Sequence, residues 1–378
     1  MKTFLIKAFL SAIPLLVVYL FPLAVYFLSR DYASVNTMIK TQSEKPNTLV
    51  GFSYFGEANV VYKELLVEKV TPDVIALGSS RTFHTRKEFF RDSEKFVNAA
   101  VTRNSLGNLI NMENFIRKLP DDGKQRLVTI LLDRRFFTER YESGSDRNSG
   151  SFVLKFLHLS GKPLRLLYLD YFKNAFSFRT LIKESKTSSN IGLWALVKDS
   201  GYRQDGSYRE GHQMNIPNRK EVLKSDVETR VRDIRNYDQL VWKKEEAAIV
   251  DNLKELGAIL ALCKEKGIIV VGYIPPDPEG VSEAFAKNDS SYAQAQNALK
   301  KDIASVFSEH GSIFFDLSDI SLFGGKNDEF IDMIHGGDLL YARVYLYMAH
   351  HNKTLARYIN AEGLERMIRE AKSDFLDF

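Results

Sequence analysis

The sequence predicts an α/β protein: a three-layer α/β/α domain with a parallel sheet, preceded by an N-terminal transmembrane helix. Three observations carry this. Short continuous apolar runs (VIAL, RLVTILLD, IIVVGYI) each stop at Gly, Asp or Pro, the pattern of strands buried on both faces. Segments with helical spacing of apolar residues separate them, as crossovers between parallel strands require. Ahead of them, Ala8 to Ser29 contains 22 residues and no charge.

That N-terminal run spans a hydrocarbon core of roughly 30 Å at about 1.5 Å per residue. Lys2 and Lys7 precede it and Arg30-Asp31 follows it. The excess of positive charge before the run predicts a cytoplasmic N-terminus and an extracytoplasmic remainder. A cleaved signal peptide is the rival reading; its apolar region is shorter and ends in a small-x-small site, which VYFLSR lacks. The expected location is the cytoplasmic (inner) membrane, single-pass, with residues 1–30 as anchor and 31–70 as tether and lead-in.

The core begins at Val74, the first strand. A second strand is expected around Phe96 to Asn98. A helix follows over Ser105 to Leu119, where Leu106, Leu109, Ile110, Met112 and Phe115 fall near helical spacing and Pro120 closes the segment. RLVTILLD, 126–133, is the third strand. The alternation then stops at the turn-rich YESGSDRNSGS, 141–151. From there to about Asn236 the chain is aromatic-rich and irregular. It reads as an insertion, 140–236, within a domain running from 71 to 378. The rhythm resumes with an amphipathic helix carrying Ile249, Leu253, Leu256, Leu260 and Cys263, ended by Gly267. IIVVGYI is the fourth strand, Ser291 to His310 a helix and SIFFDL the fifth strand. A last helical region starts near Asp338 and extends past Tyr358.

Composition narrows the function classes. The chain has 378 residues, 44% hydrophobic and 26% charged, with a formal charge of +4. Its Lys and Arg are dispersed, so nucleic acid is not an expected partner. One cysteine, Cys263, excludes an intramolecular disulfide and a Cys-rich zinc site. No His or carboxylate group has metal-ligand spacing, and neither a metal nor a cofactor is expected.

Ligands of open parallel sheets bind at the carboxyl ends of the strands. DVIALGSSRT, 73–82, delivers Gly78-Ser79-Ser80 to that edge. A strand-end serine is more often a turn or helix cap than a nucleophile; a hydroxyl becomes nucleophilic only beside a base that a third group orients. Of seven histidines, His335 in FIDMIHGGD has an acid three residues earlier, Asp332. That spacing lets the carboxylate fold back onto the imidazole. His84 lies close to the serines but has no evident acid in the sequence.

Gly78-Ser79-Ser80 near the first strand, with Asp332-x-x-His335 near the C-terminus, resembles the SGNH/GDSL hydrolase superfamily, in its membrane-anchored branch that modifies polysaccharides and teichoic acids. The resemblance implies a flavodoxin-like sheet, Ser80 as nucleophile, His335 as general base and Asp332 as orienter. Ser79 stands where the family has Asp. The family's second block is matched by Asn98-Ala99-Ala100-Val101-Thr102-Arg103, with Arg103 in place of Gly. LLDRRFF replaces its Gly-x-Asn-Asp block. Candidate oxyanion or substrate contacts are Arg103, Asn104, Arg81 and Asp133. Arg81 is equally readable as half of a structural ion pair, and Asp133 as a turn residue. The expected activity is serine O-acyl transfer from an acylated donor to a glycan acceptor of the cell envelope or a secreted polysaccharide. An integral membrane O-acyltransferase is the partner such relatives imply. Two alternatives stand beside it: a deacylating esterase with the same triad, and a catalytically silent assembly or binding subunit.

Overall fold

The computed structural model describes residues 18, 20–52, 59–101, 108–138, 162–211, 218–235, 239–287 and 291–371. Its contacts divide the chain into two compact units. One holds 60–145, 205–207 and 213–378; the other holds 1–59, 146–204 and 208–212.

The larger unit is built on five parallel strands. They are β1 (Val74–Leu77), β2 (Phe96–Asn98), β3 (Leu127–Leu131), β4 (Ile269–Ile274) and β5 (Ile313–Asp316), in the order β2-β1-β3-β4-β5. Ile75 lies opposite Val97 on one side and Val128 on the other, and Val128 opposite Val270. β1 and β3 are buried throughout, which is why they read as unbroken apolar runs.

The helices of this unit are α1 (Asn59–Val70), α2 (Asn108–Arg117), α3 (Arg219–Arg235), α4 (Gln239–Glu265), α5 (Glu279–Lys287), α6 (Ser291–Glu309), α7 (Asp338–His351) and α8 (Ala361–Glu370). Successive side chains of β4 show how they cover the sheet. A side chain at Gly272 would overlap the ring of Phe307 on α6, so only glycine admits this close approach. The next residue, Tyr273, meets Tyr345 of α7 with ring centroids 6.2 Å apart. Helices therefore pack on both sheet faces, an arrangement compatible with three layers. The main core joins β1, β3 and β4 to Leu339, Tyr341, Tyr345 and Met348 of α7 and Leu364 of α8.

One element differs from expectation. The last helical region runs past Tyr358 but not as one helix: α7 ends at His351, and a separate helix, α8, starts at Ala361. Asn352 takes an extended conformation, and its side-chain oxygen accepts from Thr354 N (2.9 Å) and Leu355 N (3.2 Å), which turns the chain. The helix expected over 105–119 is described from Asn108; 105–107 lie outside the described residues.

The second unit is helical, with helices Val35–Glu44, Lys162–Phe172, Phe178–Thr187 and Leu193–Lys198 and a two-stranded antiparallel ribbon, Ser200–Tyr202 with Tyr208–Glu210. Its core gathers Val25, Leu167, Phe176, Leu181, Leu193 and Leu196. The C-terminal part of the apolar N-terminal run thus packs with helices of the insertion. Arg30, just after that run, donates to the carbonyls of Ser185, Ser188 and Asn190 near the end of helix Phe178–Thr187. The stretch 31–70, expected as tether and lead-in, carries helix Val35–Glu44 and α1. Among the described residues no helix is long and apolar enough to cross a membrane. Residues 1–17 and 19, most of the expected anchor, lie outside the described residues.

Candidate active site

β1 ends at Leu77, and Gly78 turns the chain at φ 153°. A Cβ there would overlap Thr82 Oγ1 and press on Leu131 of β3, so the corner admits only glycine. Ser79 then caps a short 3₁₀ helix, Ser80–His84, its hydroxyl accepting from Arg81 N (3.3 Å). The two serines divide the available roles. Ser79 closes the turn and donates to Asp133 Oδ2 (3.3 Å), while Ser80 projects toward the C-terminal loop.

That loop positions His335. Phe330 and Gly336 form a β-bridge, Ile331 N donates to His335 O (2.7 Å), and Gly337 N donates to Glu329 O (2.8 Å). Buried Glu329 in turn accepts from Arg343 Nε of α7 (2.9 Å). The imidazole Nε2 lies 2.8 Å from Ser80 Oγ, and Nδ1 lies 2.8 Å from Asp332 Oδ2. The other carboxylate oxygen accepts from the backbone N–H groups of His335 (2.7 Å) and Ile334 (2.8 Å). Burial raises the pKa of this carboxyl, but the imidazole and the two backbone donors outweigh it and hold Asp332 down to about 2. An ionised Asp332 favours the tautomer with the proton on Nδ1. That leaves the Nε2 lone pair facing the serine hydroxyl, the geometry of a base beside a nucleophile.

The remaining candidates separate. Arg81 is buried, donates to the Pro276 carbonyl, and pairs with Asp277 (3.2 Å) beyond the end of β4. This is the structural ion pair. Asp133 receives Ser79 and also accepts from Arg135 N (3.1 Å), capping the one-turn helix Arg135–Thr138. Both line a cleft of about 370 Å³ along the carboxyl ends of β3 and β4, with Arg134, Asp277, Gln296 and Lys300. Arg103 and Asn104 lie outside the described residues. Among the described residues no group of three His, Cys, Asp or Glu side chains is placed to hold a metal ion.

Two supports of the site go beyond what the sequence indicates, which is only that Asn98 opens the second block. Asn98, fully buried at the end of β2, donates from Nδ2 to Thr82 O (2.8 Å) and Thr85 O (2.9 Å) and accepts from Ala100 N (3.1 Å). It clamps the 3₁₀ turn that carries Ser80. The second support is Asp338, at the first position of α7 and three residues beyond His335. It accepts from His84 Nδ1 (2.7 Å) with one oxygen and from Arg86 Nη1 (2.9 Å) with the other. All three side chains are buried. His84 therefore does have an acid, 254 residues away in the chain. The pair ties the Ser80 turn to the helix that follows the His335 loop. The only local cue was Gly-Gly-Asp at a helix start, which suits a first-turn acid without naming its partner.

No family model matches this chain, and no curated protein matches it.

Proposed function

We propose that this chain is a serine acyl-transfer enzyme of SGNH-like fold. In this reading it is held in the cytoplasmic membrane by residues 8–29 and acts on the extracytoplasmic side on an envelope or secreted polysaccharide. The observation that carries the reading is the hydrogen-bonded series Ser80–His335–Asp332, with both links at 2.8 Å. His335 takes the Ser80 proton as Oγ attacks an acyl carbonyl, and Asp332 stabilises the imidazolium that forms. Collapse of the tetrahedral adduct expels the donor's alcohol, which receives that proton from His335, and leaves an acyl ester on Ser80. A glycan hydroxyl, deprotonated by His335, then attacks that ester; the second adduct collapses with release of the acyl glycan, and the leaving Ser80 oxygen takes the proton back from His335. The Ser80 backbone N–H and one N–H from residues 100–104 are the oxyanion donors in this scheme, each worth about 3 kcal/mol. The cleft beside Arg81 and Asp133 offers the substrate a polar wall of both charge signs. Transfer from an integral membrane O-acyltransferase would deliver the donor on the same side of the bilayer.

A second reading, hydrolysis, is favoured by one feature: the His335 and Asp332 side chains are 30% and 40% exposed, so water reaches the relay. The test uses the full chain in detergent with a fluorophosphonate probe. Wild type is expected to label, and Ser80→Ala and His335→Ala are expected not to. Equal labelling of Ser80→Ala, or none of wild type, overturns both readings and leaves the silent assembly subunit. Adding an oligosaccharide to an acyl-ester assay then separates transfer from hydrolysis by whether acyl glycan or free acid accumulates.

A further inference from the structure

The helix Lys162–Phe172 of the insertion is apolar on two sides. On one side Leu167 is fully buried, and Tyr168 and Tyr171 bracket Phe21 of the N-terminal run, with ring centroids at 5.4 and 4.7 Å. The Tyr168 hydroxyl also donates to the Val18 carbonyl (2.6 Å). On the other side Leu166 and Leu169 are each 38% exposed and Phe172 is 74% exposed. A helix with apolar residues around most of its surface belongs inside a core or against lipid. The outer side of this one faces neither within its unit.

The neighbouring run indicates what covers it. Leu20 and Phe27 of that run are also exposed, at 56% and 52%, although Val25 and Tyr26 beside them are buried in the unit's core. Val18 lies 12 residues before Arg30. Along a helix that is roughly 18 Å, more than half the hydrocarbon thickness. The face of helix Lys162–Phe172 that touches Val18 and Phe21 is therefore drawn toward the acyl chains when the run is inserted. Arg165 and Lys173, both exposed, stand on the same side at the two ends of the apolar stripe and can extend their charges to anionic headgroups.

We propose that helix Lys162–Phe172 is a membrane-embedded element that enters the hydrocarbon core from the extracytoplasmic side beside the N-terminal run, with Leu166, Leu169 and Phe172 in contact with lipid. The inference rests on the anchor reading and goes beyond it, because it assigns the insertion a lipid surface of its own. A second copy of the chain or another protein on this face is the competing outcome.

The test is spin labelling of the full chain in vesicles of phosphatidylethanolamine and phosphatidylglycerol. Single cysteines replace Leu20, Leu169, Phe172 and, as an aqueous control, Glu370. Cys263 is fully buried and does not compete for label. Collisions with oxygen, which partitions into lipid, are compared with collisions with a water-soluble nickel chelate. Oxygen is expected to dominate at positions 20, 169 and 172, and nickel at 370. Nickel dominance at 169 and 172 with oxygen dominance at 20 overturns the proposal and leaves the anchor standing. Nickel dominance at all four overturns both. Low collision rates with both reagents at 169 and 172 mean that protein covers the face, which also overturns the proposal.

Discussion

Replacing Asp338 by alanine removes the carboxylate that two buried donors share. His84 Nδ1 loses an acceptor at 2.7 Å and Arg86 Nη1 one at 2.9 Å. The side chains of His84 and Arg86 are 3% and 5% exposed, so water does not replace what is lost. A charge-assisted hydrogen bond is worth about 1.5–3 kcal/mol. Stranding a buried charge by deleting its partner costs about 3–5 kcal/mol. The two figures describe overlapping losses, and Arg86 keeps Glu88 at 3.1 Å. The expected destabilisation is therefore about 3–4 kcal/mol, against less than about 1 kcal/mol for cutting the exposed Lys87–Glu94 pair with Glu94→Ala. The clamp also sets how the Ser80 turn faces the His335 loop. A shift of about 1 Å between reacting groups is enough to slow the chemistry about 10²-fold. Urea unfolding of Asp338→Ala, Glu94→Ala and wild type measures the first effect. The rate of fluorophosphonate labelling in buffer without urea measures the second. An Arg86→Met/Asp338→Leu double variant, which removes both charges, is expected to lose less stability than the sum of its single changes. A loss under 1 kcal/mol in Asp338→Ala, with labelling at the wild-type rate, refutes the clamp.

Two further outcomes follow from the geometry. Asp332→Asn keeps an oxygen for the two backbone donors but turns an amide N–H₂ toward His335 Nδ1, which favours the tautomer with its proton on Nε2 and removes the base; labelling of Ser80 is expected to fall by about 10⁴, and a labelling rate within tenfold of wild type refutes the relay. Lys63 is fully buried and donates to the carbonyls of Asn98 (2.7 Å) and Gly206, and burial pushes its pKa down to about 7 even though Asp205 opposes the shift. The unfolded lysine keeps its proton up to its ordinary range, so between about pH 7 and 10 the unfolded chain binds the extra proton and stability rises with pH, by up to roughly 5 kcal/mol across the full window; below pH 7 both states are protonated and the penalty is constant. Urea midpoints of wild type and Lys63→Met from pH 6.5 to 9.5 check this: the gap must change in favour of wild type as pH rises, and parallel curves refute it.

Much of the larger unit was legible because all its strands but the edge strand β5 are buried on both faces. Such strands leave no room for alternation, so VIAL and IVVGYI appear as bare apolar runs, and their ends mark the edge where polar residues collect. Ser80 and His335 were legible for a different reason. Each sits in a short block whose residue types imply a job, and the spacing of Asp332 and His335 is local. The division of labour between Ser79 and Ser80 was legible only through the resemblance, which singled out Ser80; the corner by itself leaves it open. It depends on the hydroxyl that caps the 3₁₀ turn and on the one that points at the loop. The pairing of Arg81 with Asp277 was readable only as one of two options, because the partner lies 196 positions away.

What the sequence determined by itself is periodic or local: the parallel-sheet class, the order of its strands along the chain, a 22-residue uncharged run and the Asp332-x-x-His335 block. Tertiary structure decided what depends on distance through space. It joined His84 and Arg86 to Asp338, used Asn98 as a clamp on two carbonyls, and packed the end of the N-terminal run with helices of the insertion. The physical reason is that a buried donor needs an acceptor within about 3 Å, and chain position says nothing about which acceptor that is. An apolar run is equally content against lipid or against other helices, so its hydropathy leaves that choice to the fold.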